Sequence, residues 1–206
     1  MTPFPARKTV LPLLAVCIAF LAGCATTTPS RFYTLTPMKA ADGPSPAAPS
    51  DEGYLLAVGP VRLPDYLDRP QIITRSEGNE VRLHETERWA GSLQEDLSRV
   101  MVENLSILLA GKRVAVVRWV FAMQSMAPFR NRLAIEILRF EGPVGGTVVL
   151  KARYALIGPD GKTVVASGES TVREPAGGSD YESFVAAMSR ALAVFSKEIA
   201  AAIPQR

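Results

Sequence analysis

Few side chains in this 206-residue sequence could carry out chemistry. It contains two cysteines, Cys17 and Cys24, and a single histidine, His84. A catalytic histidine needs a nucleophile and an orienting acid beside it, and the sequence around His84 offers neither. The alternation of apolar and polar residues from Glu80 to His84 predicts instead a strand with His84 on its exposed face.

Carboxylate pairs are the second candidates, because two acids can share general acid and base roles in glycoside hydrolysis. The pairs are Asp65 and Asp68, Glu85 and Glu87, and Glu95 and Asp96. The pair Glu95 and Asp96 is typical of a solvated helix face, and the other two pairs flank turns or a helix start. A pair assembled from distant residues stays open here, but no neighbouring motif supports one. The glycine-rich run GPVGG lacks the Lys-Ser/Thr of a phosphate loop. We therefore expect no enzyme, no catalytic residue and no metal site.

The N-terminal segment predicts secretion. Arg7 and Lys8 precede an uncharged run over residues 10–22, which small residues close. The run is shorter than the about 20 apolar residues that cross a bilayer, and Pro12 interrupts it. We predict that residues 1–23 are a signal peptide that is removed.

Residues 21–24, LAGC, resemble a lipobox, at which bacteria attach diacylglycerol to the cysteine and cleave just before it. Cys17 does not fit, because bulky Val16 stands where a small residue is needed. We expect Cys24 to be the lipidation site, carrying S-diacylglycerol and an N-acyl chain such as palmitate; the alternatives are a plain secretory signal and a short membrane anchor. No thiol then remains for a disulfide, a metal or a nucleophile. Apart from this lipid we predict no cofactor.

The residues around the cut also indicate location and exclude one partner class. Ala25 and Thr26 follow Cys24 without an aspartate, which by resemblance to enterobacterial sorting predicts the periplasmic face of the outer membrane. Removing Arg7 and Lys8 from 23 basic residues leaves 21 against 20 acidic residues, a net charge near +1. With no basic stripe either, nucleic acid is not an expected partner.

Hydrophobic periodicity predicts a single α+β domain. A tether over residues 24–30 leads into a domain over residues 31–206, which begins with a short strand and contains a mobile Pro/Ala-rich loop at residues 37–53. The alternative is a tether that runs to Gly53. Apolar steps of three and four predict two amphipathic helices, one that includes Trp89 and one that starts after Ser179 or Asp180. Together with the predicted strands, they give a largely antiparallel sheet covered by two helices.

Several motifs then resemble a known family. They are VGPVRLPDYLDRPQIITR at residues 58–75, RFYTL before it, Trp89 opening the next helix, and LRFEG at residues 138–142. This combination resembles the PqiC-like auxiliary lipoproteins of ABC-type and MCE-type transport systems. The resemblance implies a non-enzymatic docking component at the outer membrane. It would act beside an envelope-spanning MCE-domain protein and inner-membrane transporter components, in phospholipid transport that maintains envelope integrity.

The most specific motif, LPDYLDRPQI, contains the candidate contact residues. Pro64 and Pro70 predict a fixed bend. An aromatic residue beside an arginine is common in interfaces, so Tyr66 and Arg69 are candidates for partner contact. An internal ion pair between Arg69 and a neighbouring aspartate would explain these residues equally well.

Three further expectations stay open. The alternative function is a structural or assembly lipoprotein that binds peptidoglycan or outer-membrane proteins. The apolar cluster over residues 119–129 packs in the core or forms a surface for a lipid or a partner. Edge strands and amphipathic helices also suggest that the chain associates with itself as a homo-oligomer.

Overall fold

The computed structural model describes residues 28–39, 54–76, 78–112, 114–120 and 130–204. The predicted signal peptide, Cys24, most of the predicted loop at residues 37–53 and the apolar run over residues 121–129 lie outside the described residues.

Eight strands and two long helices follow one another along the described chain. They are β1 Arg31–Tyr33, β2 Tyr54–Arg62, β3 Gln71–Arg75, β4 Val81–Trp89, α1 Leu93–Leu108, β5 Val114–Arg118, β6 Asn131–Glu141, β7 Thr147–Ile157, β8 Val164–Pro175 and α2 Tyr181–Ala202.

The strands form two sheets rather than one. A three-stranded sheet has the order β1-β4-β3, and a five-stranded sheet has the order β5-β2-β6-β7-β8. The β3–β4, β6–β7 and β7–β8 pairs are antiparallel and include the longest ladders, whereas β1–β4, β2–β5 and β2–β6 are parallel. The predicted α+β class and single domain are confirmed, and the division into two sheets is an addition to that prediction.

Both helices cover one face of the five-stranded sheet. α1 packs on β2 and β5, α2 packs on β7 and β8, and the helices contact each other. Phe184, Leu192 and Phe195 of α2 are fully buried, as is Leu97 of α1. The predicted start of α2 is also confirmed, because Asp180 Oδ1 accepts a hydrogen bond from the Ser183 amide at 2.7 Å.

The sequence-based placement of Trp89 in the first helix is wrong. Trp89 is the last residue of β4, and its amide donates to the Pro70 carbonyl at 2.7 Å. The helix begins at Leu93, after Ser92 caps it by accepting from the Glu95 amide. Trp89 is four residues before Leu93 and so fits the spacing of the apolar helix face by coincidence. It is buried as a residue of β4.

The predicted exposure of His84 is also wrong, and a bulge is the reason. Gln71 of β3 pairs with Arg88 of β4, but the next residue, Ile72, pairs with His84, so β4 advances by four residues where β3 advances by one. This bulge reverses which face of the sheet the side chains of β4 point to on either side of it. His84 turns inward, with its ring 5.1 Å from that of Tyr181 and its Nε2 2.9 Å from Oγ1 of Thr74. Leu83, expected on the buried face, is 45% exposed instead.

Candidate docking site at the turn between the sheets

The motif LPDYLDRP forms the connection between the two sheets. Residues 63–70, here called the docking turn, join β2 of the five-stranded sheet to β3 of the three-stranded sheet. The Leu67 amide donates to the Pro64 carbonyl and the Arg69 amide to the Leu67 carbonyl, both at 2.9 Å. The side chain of Leu67 is 2% exposed. The turn is therefore closed by its own backbone and anchored by one apolar side chain.

A buried carboxylate braces the turn from behind. Glu141, the last residue of β6, has a side chain with no solvent exposure. Its Oε2 accepts from the Tyr66 hydroxyl at 2.8 Å and from the Phe140 amide at 3.0 Å. Its Oε1 accepts from Nε of Arg75 at 2.8 Å. Hydrogen bonds on both oxygens offset the cost of burying this carboxylate.

A second arginine adds charge to this brace. Nε of Arg139 also lies 2.8 Å from Oε1 of Glu141, but it is not aligned for a hydrogen bond. Its contribution is electrostatic attraction rather than a directed bond. Two guanidinium groups therefore surround one carboxylate, and the Arg75 side chain is the more buried of the two at 22% exposure against 41%.

The two side chains that donate to Glu141, Tyr66 and Arg75, keep their protons across physiological pH. Burial, followed by the hydrogen bond to Glu141, raises the pKa of Tyr66 to about 12. The hydrogen bond to Glu141 also raises the pKa of Arg75. Tyr66 consequently stays a donor and Arg75 stays a cation at physiological pH.

The solvent side of the turn displays charges. Asp65, Asp68 and Arg69 are exposed, and within the described residues no ion pair or side-chain hydrogen bond holds any of them. The internal Asp–Arg pair considered from the sequence is therefore not formed here. Arg69 presents a free guanidinium, whereas the half-buried Tyr66 directs its hydroxyl inward to Glu141.

The structure thus joins two motifs that are 75 residues apart at their contact. Sequence reasoning missed Glu141, because an acid at the end of a strand is ordinarily a solvated residue. One signal was present: Glu141 is part of the motif LRFEG at residues 138–142, which the sequence had singled out. The third predicted site residue, Cys24, lies outside the described residues.

A second feature is the segment that directly follows β1. Residues 34–38, here called the strap, lie across α1 and α2 with Leu35 fully buried. The Leu35 amide donates to Asp96 Oδ2 at 2.6 Å, and its carbonyl accepts from Arg99 Nη2 at 2.7 Å. The Met38 amide donates to Asn104 Oδ1 at 2.8 Å.

Buried polar side chains on both helices serve the strap. Asn104 has no exposure and also donates to Ser196 Oγ at 3.1 Å. Ser189 Oγ of α2 accepts from the Thr36 amide at 3.1 Å. These contacts explain why polar residues occur inside the helix interface, and they fix the path of the chain as it enters the domain.

Two other kinds of feature concern the described part of the chain: metal sites and membrane-spanning helices. No group of three or more histidine, cysteine or acidic side chains there could hold a metal ion. None of the described helices has the length and apolar content to cross a bilayer.

Comparison with known proteins identifies the family. Residues 33–200 match the sequence profile of the ABC-type transport auxiliary lipoprotein component family. The chain belongs to this family. It is a PqiC-like auxiliary lipoprotein, a non-enzymatic accessory component of a transport system.

Two relatives and two solved structures support this assignment. The chain is 26% identical over 144 residues to the intermembrane transport lipoprotein PqiC of Escherichia coli K12 and, equally, of Shigella flexneri, covering 70% of this chain and 72% of each relative. A solved structure from Xanthomonas campestris matches with a TM-score of 0.63 at 24% identity, covering 83% of this chain and 93% of that one. Another solved chain gives a TM-score of 0.68 at 21% identity, covering 84% and 98%. These two structures show the same fold.

Proposed function

We propose that this auxiliary lipoprotein is anchored through Cys24 to the periplasmic face of the outer membrane and docks an envelope-spanning MCE-domain protein. The complex, with its inner-membrane transporter components, would carry phospholipid between the membranes and maintain envelope integrity. Family membership and the intermembrane transport role of the PqiC relatives support the general role. The observation that carries the docking role is the docking turn, braced by Glu141 from behind and charged in front.

The geometry of the docking turn suits recognition of a protein partner. Its backbone is ordered before binding, so little conformational entropy is lost when a partner arrives. Arg69 is exposed and unpaired within the described residues, and arginine is among the residues that contribute most to interfaces. Tyr66 acts by positioning, since its hydroxyl holds the turn against Glu141.

Lipidation of Cys24 supplies the membrane attachment in this proposal. A single acyl chain binds a bilayer only marginally, whereas each additional buried methylene contributes about 0.8 kcal/mol. The diacylglycerol and N-acyl chains expected on Cys24 would make the attachment durable. The docking turn would then work at a fixed height above the membrane.

In-cell photocrosslinking tests the docking role. A photoreactive amino acid replaces Arg69, and a matched control replaces Arg173, which is also an exposed arginine but lies on the edge strand β8. We expect position 69 to crosslink to one envelope-spanning MCE-domain protein and position 173 to give no such product. Mass spectrometry identifies the captured protein.

Three outcomes would overturn the proposal. A crosslink from position 69 only to outer-membrane proteins, or co-sedimentation of the mature chain with purified peptidoglycan, would favour a structural lipoprotein. The third outcome is unchanged membrane permeability after deletion of the gene, measured with a dye that intact envelopes exclude. Substitution of Cys24 by serine, followed by membrane fractionation, tests the anchor separately.

A further inference from the structure

One large apolar side chain stands out near the point where the chain enters the domain. Phe32, in the edge strand β1, is 63% exposed. In the strand register it pairs with Arg88 of β4, which in turn pairs with Gln71 of β3. These three residues, here called the outer stripe, cross the whole three-stranded sheet.

The outer stripe lies on the face of the sheet that turns away from the core. The next residue along each of β1 and β4, Tyr33 and Trp89, is buried at 7% and 5% exposure. Successive side chains of a strand point to opposite faces, so Phe32 and Arg88 point outward. Within the described residues no ion pair neutralises Arg88. The stripe therefore combines an exposed aromatic ring with a free positive charge.

The chain that precedes the stripe limits where the stripe can go. Phe32 follows Cys24 by eight residues. Such a segment reaches at most about 29 Å when fully extended and has a root-mean-square length of about 16 Å as a flexible coil. The strap holds the following residues on the helices through Leu35 and Met38, so the domain cannot lengthen this tether by releasing chain.

We infer that the outer stripe rests on the headgroup region of the phospholipid leaflet that holds Cys24. This inference depends on the lipidation of Cys24 in the proposed function. The ring of Phe32 enters the boundary between headgroups and acyl chains, where aromatic and aliphatic side chains of peripheral proteins are found. Arg88 pairs with lipid phosphate, which is attractive at a negatively charged surface.

The short tether is the reason to choose the membrane over a soluble partner. A short flexible linker keeps two attached sites at an effective concentration in the millimolar range, so a weak contact becomes populated. Whenever Cys24 is in the bilayer, the tether keeps the outer stripe close to the lipid surface. A soluble protein partner would have to compete with this surface for the same face. The contact would fix the orientation of the domain and hence the direction in which the docking turn points.

Fluorescence quenching in vesicles tests the inference. The full mature lipoprotein, lipidated on Cys24, is reconstituted into vesicles of phosphatidylethanolamine and phosphatidylglycerol. Gln71→Cys is labelled with an environment-sensitive fluorophore, which is specific because Cys24 carries lipid on its sulfur. Lipids brominated near the headgroup are expected to quench this probe several-fold more than a probe at Val164→Cys, at the start of the distant edge strand β8.

Variants on the Gln71→Cys background assign the effect to the outer stripe. Phe32→Ser should reduce the quenching to the level of the Val164 probe, and Arg88→Gln should reduce it in part. Val165→Ser is the matched control, since it removes a 43% exposed apolar side chain elsewhere and should change nothing. Thermal unfolding of each variant verifies that the fold is intact.

The outcomes separate this inference from the proposed function. If the protein binds vesicles but the Gln71 probe is quenched no more than the Val164 probe, the outer stripe does not touch lipid and the inference fails. Protection of the probe only after addition of a protein partner would also overturn it. If the chain does not bind vesicles at all, the proposed anchor at Cys24 fails first, and the inference falls with it.

Discussion

Glu141 shows how one buried charge can shape a surface turn. It has no exposure, and its two oxygens receive hydrogen bonds from Tyr66, Arg75 and the Phe140 amide. A buried carboxylate left without partners is costly, so the side chains that satisfy it are held in position. The hydrogen bond from Tyr66 to Glu141 therefore holds the docking turn in place, while Asp65, Asp68 and Arg69 face solvent.

Removal of the Tyr66 hydroxyl should therefore destabilise the domain. We expect Tyr66→Phe to lower the free energy of unfolding by about 1.5–3 kcal/mol, the contribution typical of a hydrogen bond to a charged group. Urea denaturation of the mature chain without its lipid anchor measures this. Arg69→Gln, which alters an exposed side chain on the same turn, should change stability by less than about 0.5 kcal/mol. A loss below that value for Tyr66→Phe would show that water replaces the hydroxyl.

His84 gives the domain a pH dependence of defined sign. Burial lowers the pKa of His84 below its ordinary value of 6.5; nearby Glu87 raises it and Arg82 lowers it. Facing it from α2 is Tyr181, whose pKa burial raises to about 12, so this neighbour stays neutral. The folded state thus favours neutral His84, and this stabilisation is present above pH 6.5 and is lost as the pH falls through the lowered pKa.

We accordingly expect the urea concentration at half-unfolding to decrease when the pH is lowered from 7 to 5. The decrease should be smaller in His84→Gln. Glutamine can keep a polar atom near Thr74 Oγ1, which His84 approaches at 2.9 Å, but it does not titrate. Equal slopes for the two proteins would assign the pH dependence to other groups. Measurements at several pH values in the same buffer series provide the comparison.

At the scale of elements, the strap packs against α1 and α2 and contributes the buried Leu35 to the core. Its amides at Leu35, Thr36 and Met38 bond to side chains of α1 and α2 instead of a neighbouring strand. A terminal segment held by backbone hydrogen bonds and a buried leucine resists fraying. The two helices are in turn joined through the same polar residues.

Asn104→Ala should loosen the strap. It removes the acceptor of the half-buried Met38 amide and the bond to Ser196, and each lost hydrogen bond costs about 0.5–1.5 kcal/mol. We expect faster hydrogen exchange at the strap amides and a lower unfolding midpoint. Glu95→Ala, a change at a 67% exposed position of the same helix whose side chain pairs with Arg118 and not with the strap, should leave the exchange of the strap amides unaltered. Unchanged exchange in Asn104→Ala would indicate that the contacts of Leu35 alone hold the strap.

Local sequence signals predicted the helices and most strands, because amphipathic periodicity and capping residues act over a few positions. The turn between β7 and β8 is a local feature of this kind: an Asp-Gly pair is typical of tight turns, and Asp160 Oδ1 accepts from the Lys162 and Thr163 amides. The parallel pairing of β2 with β5 and β6 was beyond reach, since it joins strands separated by a helix or more. The bulge beside His84 and the contact of Tyr66 with Glu141 likewise depend on partners distant in sequence.

At the scale of the whole molecule, the outer stripe and the strap follow each other along the chain, directly after the segment that the proposed function attaches to lipid. The strap begins two residues after Phe32, so β1 and the strap together fix the chain over residues 31–38. The docking turn leads directly into β3, whose first residue, Gln71, belongs to the outer stripe. Membrane contact and partner docking would therefore occur on neighbouring parts of the same sheet, and the orientation of one would constrain the other.

Lengthening the tether should separate these two properties. Insertion of 16 Gly/Ser residues after Thr28 triples the chain between Cys24 and Phe32, and the effective concentration of the outer stripe at the bilayer should fall about fivefold. We expect quenching of the Gln71 probe to drop accordingly, while the yield of isolated, folded domain and its unfolding midpoint stay constant. An insertion of equal length in the exposed turn at Gly161 is the control for added chain. Undiminished quenching in the tether variant would mean that the stripe binds lipid strongly enough to need no tether.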